Sequence, residues 1–175
     1  MKDRNYCMLI DSHAHLDMAD FDADRDLVIK RARSGGVARI VTIGIDLASS
    51  IKAIEIAREY EFVYATVGYH PHNAKQADAK VLEKLRALAS EAKVVAWGEI
   101  GLDFAPDTPP QNLQIDAFSR QLDFARESGL PVLIHCRRAH EAMYQIVKTY
   151  YGRIRGVMHS FSGDIEMMNR FLSSV

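Results

Sequence analysis

The stretch Ile10-Asp11-Ser12-His13-Ala14-His15-Leu16-Asp17 sets two histidines one residue apart at the end of a short apolar run. If residues 8–11 form a strand, alternate side chains leave the same face, so His13 and His15 point together over the strand's carboxyl end. Paired neutral imidazoles suit a divalent cation. Further ligands are then expected at equivalent strand ends elsewhere in the chain.

From Met8 onward, short β-branched runs alternate with longer stretches of helical periodicity, which reads as repeated βα units. The expected strands are 8–11, 39–43, 62–67, 94–97, 131–134 and 156–158, apolar on both faces as buried parallel strands are. Expected helices cover 24–34, ending at Gly35-Gly36, and run from a Ser49 or Ser50 cap to residue 60. Others cover 78–91, 113–128 before Gly129, and 139–150 before Gly152. Residues 101–110, rich in proline and aspartate, read as a loop over the strand ends. Six such units fit either a doubly wound sheet or most of a barrel. No glycine-rich phosphate turn follows the first strand, and polar residues end several different strands, as in barrel active sites. A full barrel takes about 250 residues. The expectation is therefore an α/β, TIM-type (β/α)8 metallohydrolase barrel with about six of its eight strands. It forms a single domain over residues 1–175, stops within a sixth helix and leaves the first and sixth strands with unpaired edges.

At 48% hydrophobic and 26% charged, the chain is globular in composition, and 22 Lys plus Arg against 23 Asp plus Glu create no global field toward nucleic acid or membrane. Any polyanion must be held locally. Cys7 and Cys136 are too few for a disulfide framework, no apolar run approaches a spanning helix, and residues 1–7 are too polar for a signal peptide. These features point to the cytoplasm.

Four strand ends offer ligands: His13 and His15 after the first, Glu99 after the fourth, His135 after the fifth and His159 after the sixth. A closed barrel brings such positions to one mouth. Imidazoles with a carboxylate make a mixed N/O set that suits Zn, Mn, Co or Fe, and Mg where carboxylate and water dominate. A carboxylate such as Glu99 can bridge two cations ~3.5–4 Å apart, the spacing used for in-line attack on phosphate esters.

Five motifs now carry a resemblance. Asp11-Ser12-His13-Ala14-His15-Leu16, Gly68-Tyr69-His70-Pro71-His72, Gly98-Glu99-Ile100-Gly101-Leu102-Asp103, Pro131-Val132-Leu133-Ile134-His135-Cys136-Arg137 and His159-Ser160-Phe161-Ser162-Gly163 follow the order and spacing of the TatD-type deoxyribonucleases, of the amidohydrolase superfamily. The resemblance implies a TIM-type barrel and a divalent-metal-dependent DNase, a 3′ to 5′ exonuclease on single-stranded or frayed 3′ DNA ends. It implies two divalent ions, Mg in function with Zn, Mn, Ni or Co able to substitute, and His13, His15, Glu99, His135 and His159 as their ligands, Glu99 shared. The family's remaining ligand, an aspartate of the eighth strand and the proton acceptor for the attacking water, lies beyond the last residue here. Arg138 replaces a residue that is often acidic in the family, and Ala105-Pro106 replaces aromatic or basic ones, which bears on substrate preference.

Other residues keep two readings. Asp103 is a loop cap or an acceptor orienting a histidine ligand. His70 and His72 contact the scissile phosphate or face solvent. Arg137 grips phosphate through its planar fork or pairs with a neighbouring carboxylate. Cys136 and Trp97 read as packing, His140 as solvated, and Lys80, Lys84 and Arg86 as the solvated side of a helix. Two further functions stay open: a barrel metallohydrolase acting on a small ester, lactone or amide, and a truncated, inactive metal-binding fragment.

Overall fold

The computed structural model describes residues 8–173; Cys7 and the polar segment before it lie outside the described residues, as do Ser174 and Val175. Six strands, β1 (Leu9–Ala14), β2 (Val37–Thr42), β3 (Val63–Val67), β4 (Val94–Asp103), β5 (Val132–Arg137) and β6 (Gly156–Met158), form one sheet in sequential order, and every neighbouring pair is parallel. Helices α1 (Arg25–Ser34), α2 (Leu47–Glu59), α3 (Ala79–Leu88), α4 (Gln111–Ser128), α5 (His140–Val147) and α6 (Ile165–Leu172) follow the strands in turn. The sheet curls as a TIM-type barrel does, with six strands of the eight. Its core lies between the sheet and the helices, where Ile54, Val63, Leu82, Leu85, Ile100, Phe118 and Leu122 are buried.

Several boundaries differ from the sequence reading for identifiable reasons. β4 runs to Asp103, so residues 101–103, expected as loop, are strand paired with His135, Cys136 and Arg137 of β5. The prolines and aspartates of 101–110 had pointed to a loop. Gly98 and Gly101 are what lets β5 approach closely, since a Cβ on either would overlap Leu133 or the His135 carbonyl. The histidines and Glu99 expected just beyond strands also shift inward: His13, Glu99 and His135 lie within β1, β4 and β5. The first and last strands are not buried on both faces. Ile10 of β1 is 62% exposed and Val157 of β6 is 62% exposed, because each of these strands has a single neighbour among the described residues.

Helix α2 starts earlier than expected and is capped by Asp46, with Ser49 closing a reciprocal box: the Ser49 N–H donates to Asp46 Oδ1 at 2.7 Å, and the Asp46 N–H donates to Ser49 Oγ at 2.9 Å. Two orphan donors of the first turn are thereby satisfied. Asp46→Ala should lower stability by about 1 kcal/mol, measured by urea unfolding. α5 ends at Val147 and tightens into a 3-10 turn over Lys148–Tyr150. His140, expected in solvent, is half-buried edge-on to Phe161, and Arg86 pairs with Glu127 at 2.8 Å while lying over the Phe124 ring. Among the described residues no helix is long and apolar enough to cross a membrane.

Candidate metal centre

At the carboxyl ends of the strands, Glu99 is the point of convergence. Its carboxylate is 3% exposed and takes contacts from four imidazoles. His135 Nδ1 and His159 Nε2 each lie 2.8 Å from Oε1, His70 Nε2 lies 3.7 Å from the same atom, and His13 Nε2 lies 3.4 Å from Oε2. Burial alone would raise the carboxyl's pKa, but the hydrogen bonds from His13 and His135 and the field of His70 and His159 outweigh it, so Glu99 is held ionised well below the usual carboxylate range.

The strand alternation read from the sequence holds for His13 and His15: their Nε2 atoms converge to 3.2 Å. Two groups of donor atoms emerge, His13–His15–Glu99 and His70–Glu99–His135, each with its atoms within 4.8 Å of one another and both containing Glu99. Buried Nδ1 atoms of His13 and His15 have no hydrogen-bond partner among the described residues. Two imidazole nitrogens and a carboxylate oxygen in such proximity are a donor set that a divalent cation accepts. His159, at the end of β6, is stacked on His13 with ring centroids 4.1 Å apart, and burial lowers its pKa so that its ring stays neutral.

A second carboxylate organises the outer side of this cluster. Asp103 is fully buried at the end of β4, and its Oδ2 lies 2.8 Å from His72 Nε2 and 3.1 Å from His135 Nε2. Arg137 Nε donates to Oδ1 at 3.0 Å, and the Ala105 N–H donates to Oδ1 at 3.0 Å. Burial opposes ionisation here too, but Arg137, the Ala105 amide and the two histidines outweigh it and hold the carboxyl well below its ordinary value. Asp103 thus accepts a loop amide from Ala105 and lies against both His72 and His135. Of the two readings of Arg137, the structure shows the ion pair, on a guanidinium that remains half-exposed.

His70 is half-buried, and burial drives its pKa down to about 3, leaving the ring neutral. Its Nδ1 accepts the His72 N–H at 3.2 Å, so the single ring proton belongs on Nε2, the atom facing Glu99. For His135, burial works against protonation, but the bonds to Glu99 and Asp103 prevail and raise its pKa. Cys136 is buried and its thiol is pushed up to about 11 by that burial, as suits packing and not nucleophilic attack.

Sequence reading passed over the polar residues that hold the strand ends together. Thr42 Oγ accepts the Leu16 N–H at 3.1 Å just past the two histidines, and the Thr66 hydroxyl donates to the Gly98 carbonyl beside Glu99. Threonine is an ordinary strand residue, so alternation carried no signal for these. Gln114 and Gln121 lie on the buried face of α4, and their visible signal was two amides falling in an otherwise apolar stripe.

A parallel barrel sheet with imidazoles and a buried carboxylate gathered over its strand ends is the architecture of the barrel metal-dependent hydrolases. The sequence profile of the TatD related DNases matches residues 10–174, and the chain belongs to that family. It is 39% identical over 173 residues to YabD, named as an uncharacterized metal-dependent hydrolase, from Bacillus subtilis, covering 95% of this chain and 68% of that protein. It is 40% identical over 156 residues to the Cronobacter sakazakii 3'-5' ssDNA/RNA exonuclease TatD, covering 89% of this chain and 59% of that one. The crystal structure of the TatD homolog YjjV from Escherichia coli superposes with a TM-score of 0.90 at 33% identity, over 97% of this chain and 66% of that chain.

Proposed function

We propose that the 175 residues form one metal-binding domain of a two-metal phosphodiesterase that removes nucleotides from single-stranded or frayed 3′ ends of DNA. The observation that carries this reading is one buried carboxylate, Glu99, shared by two groups of imidazoles. His13, His15, Glu99, His135 and His159 would hold the cations, which supply an activated water and neutralise charge on the phosphate being cleaved. The aspartate that the family carries on its eighth strand has no counterpart among these ligands.

The remaining residues act on the substrate. His70, neutral and with Nε2 3.7 Å from Glu99 Oε1, turns that ring nitrogen toward the cluster and is suited to a phosphate oxygen. His70 is read as a substrate contact and His159 as the imidazole completing the ligand set. Arg137 is steered by Asp103 through Nε, and its two Nη atoms bring the fork to the same phosphate. His72, half-exposed on Asp103, is the outer contact. The near-neutral net charge suits an enzyme that grips an end more than one that coats a duplex. A cytoplasmic setting belongs to the same reading.

A 5′-labelled single-stranded oligonucleotide incubated with the chain and Mg or Mn should shorten stepwise, and EDTA should stop the reaction. An oligonucleotide left intact, with calorimetry showing the metal bound, would overturn the assignment to DNA; turnover of small esters under those conditions would then redirect the same centre to another substrate.

A further inference from the structure

The β3·β4 ladder ends early. Its last pair is Val67 with Trp97, whereas the 70–72 turn and Asp103 both lie beyond it. The sheet therefore does not set the distance between the two places that meet when His72 reaches Asp103 at 2.8 Å. The Ile45 carbonyl holds the turn, accepting from the His70 N–H at 2.9 Å and from Asn73 Nδ2 at 3.0 Å, and α4 links the turn to Asp103. Gln121, with no exposure, accepts the Tyr69 N–H on Oε1 at 2.7 Å and donates from Nε2 to the Tyr69 carbonyl at 3.2 Å. Gln114, 1% exposed, repeats the arrangement on Asp103: Oε1 accepts the N–H at 2.8 Å, and Nε2 donates to the carbonyl at 2.8 Å.

Each primary amide thus clamps both backbone groups of one residue, as a neighbouring strand would. The two glutamines are seven residues apart, about two helical turns or ~10 Å along one face. Between them Ala117 and Phe118 are buried, so the face has no freedom to roll. Gln114 Nε2 also donates to the Pro109 carbonyl at 2.7 Å, which ties down the connection from β4 into α4. A buried amide is costly unless every polar atom finds a partner, and here the partners are the backbone beside His70 and the backbone of Asp103 itself.

We propose that Gln114 and Gln121 are positioning residues: together they hold the 70–72 turn at a set distance from Asp103, and so keep His72 and His135 on its carboxylate. The proposal rests on the reading of this cluster as the active centre, but its first test does not. In the metal-free full-length chain, imidazole 15N spectra report the tautomer and partner of each histidine. Gln121→Met and Gln114→Met should shift the ring signals of His72 and His135, while Leu85→Ala, a core truncation on α3 lowering Tm by a comparable amount, should leave them in place. Folded methionine variants with unchanged ring signals, or equal shifts in Leu85→Ala, would overturn it. If a methionine variant does not fold, Gln→Asn keeps the amide one methylene short and is read the same way. With Mn2+, Gln114→Met should weaken binding about tenfold through Asp103 and His135, with Leu85→Ala within about twofold of the parent. A parent chain that binds no Mn2+ would remove the functional reading and leave the ring spectra to decide this one.

Discussion

Glu99→Gln should bind Mn2+ on the order of 100-fold more weakly than the parent, and any hydrolytic activity should fall with it. The substitution is nearly isosteric, so it changes charge and donor character with little change of shape. Glu99 is the only carboxylate in either candidate ligand group, and both groups contain it, so one substitution impairs both. Folding is a separate matter. His13, His70, His135 and His159 surround the side chain, and imidazole nitrogens can hydrogen-bond to an amide as well as to a carboxylate. The metal-free variant should therefore lose at most about 2 kcal/mol. What disappears is the stabilisation that bound metal adds, which grows with ligand concentration in the parent. Thermal melts with and without Mn2+, beside calorimetry, separate the two effects. Parent-like affinity in the variant would sink the assignment of Glu99. For the parent, cation affinity should fall as pH is lowered, because the bonds to Glu99 and Asp103 raise the pKa of His135 and a proton there competes with the metal.

Gly101→Ala should cost about 3–5 kcal/mol or prevent folding. Gly101 sits at φ +146°, a region closed to alanine, and a methyl group would overlap the carbonyl oxygen of His135, its partner in the β4·β5 ladder. The strain falls on the strand that carries one candidate ligand and against the strand that carries another. Gly129→Ala offers the contrast. This residue ends α4 at φ +70° with nothing within 4 Å of a new Cβ, so only the backbone term of about 1–2 kcal/mol applies. Chemical denaturation of both variants tests the difference, and equal losses would show that the close approach of β5 is unimportant.

These two positions also show where sequence reading succeeded and where it stopped. Gly101 was read as the start of a loop because prolines and aspartates follow it; its necessity in the strand depends on the His135 carbonyl, 34 residues away, which local pattern does not contain. Asp46 was passed over for Ser49 or Ser50 as the helix cap because both residue types cap well, and the reciprocal box of Asp46 with Ser49 appears only in the folded chain. Gln114 and Gln121 showed in the sequence only as amides in an apolar stripe, with nothing to tie them to the site, because their partners are backbone groups, which any residue supplies equally.

The order of βα units, the parallel sheet and the identities of the clustered histidines follow from the amino-acid string, since alternation along a strand and apolar spacing along a helix are local properties and barrels collect strand ends at one mouth. Which carboxylate lies at the centre of those rings, and which one stands behind them, belongs to the tertiary structure. Glu99 and Asp103 are four residues apart on one strand, and their division of labour is set by His70, His72, His135, Arg137 and His159, brought to them from β5, β6 and the turn after β3. Contacts over 29 to 60 residues of separation are made by packing, and packing leaves no periodic mark in a sequence.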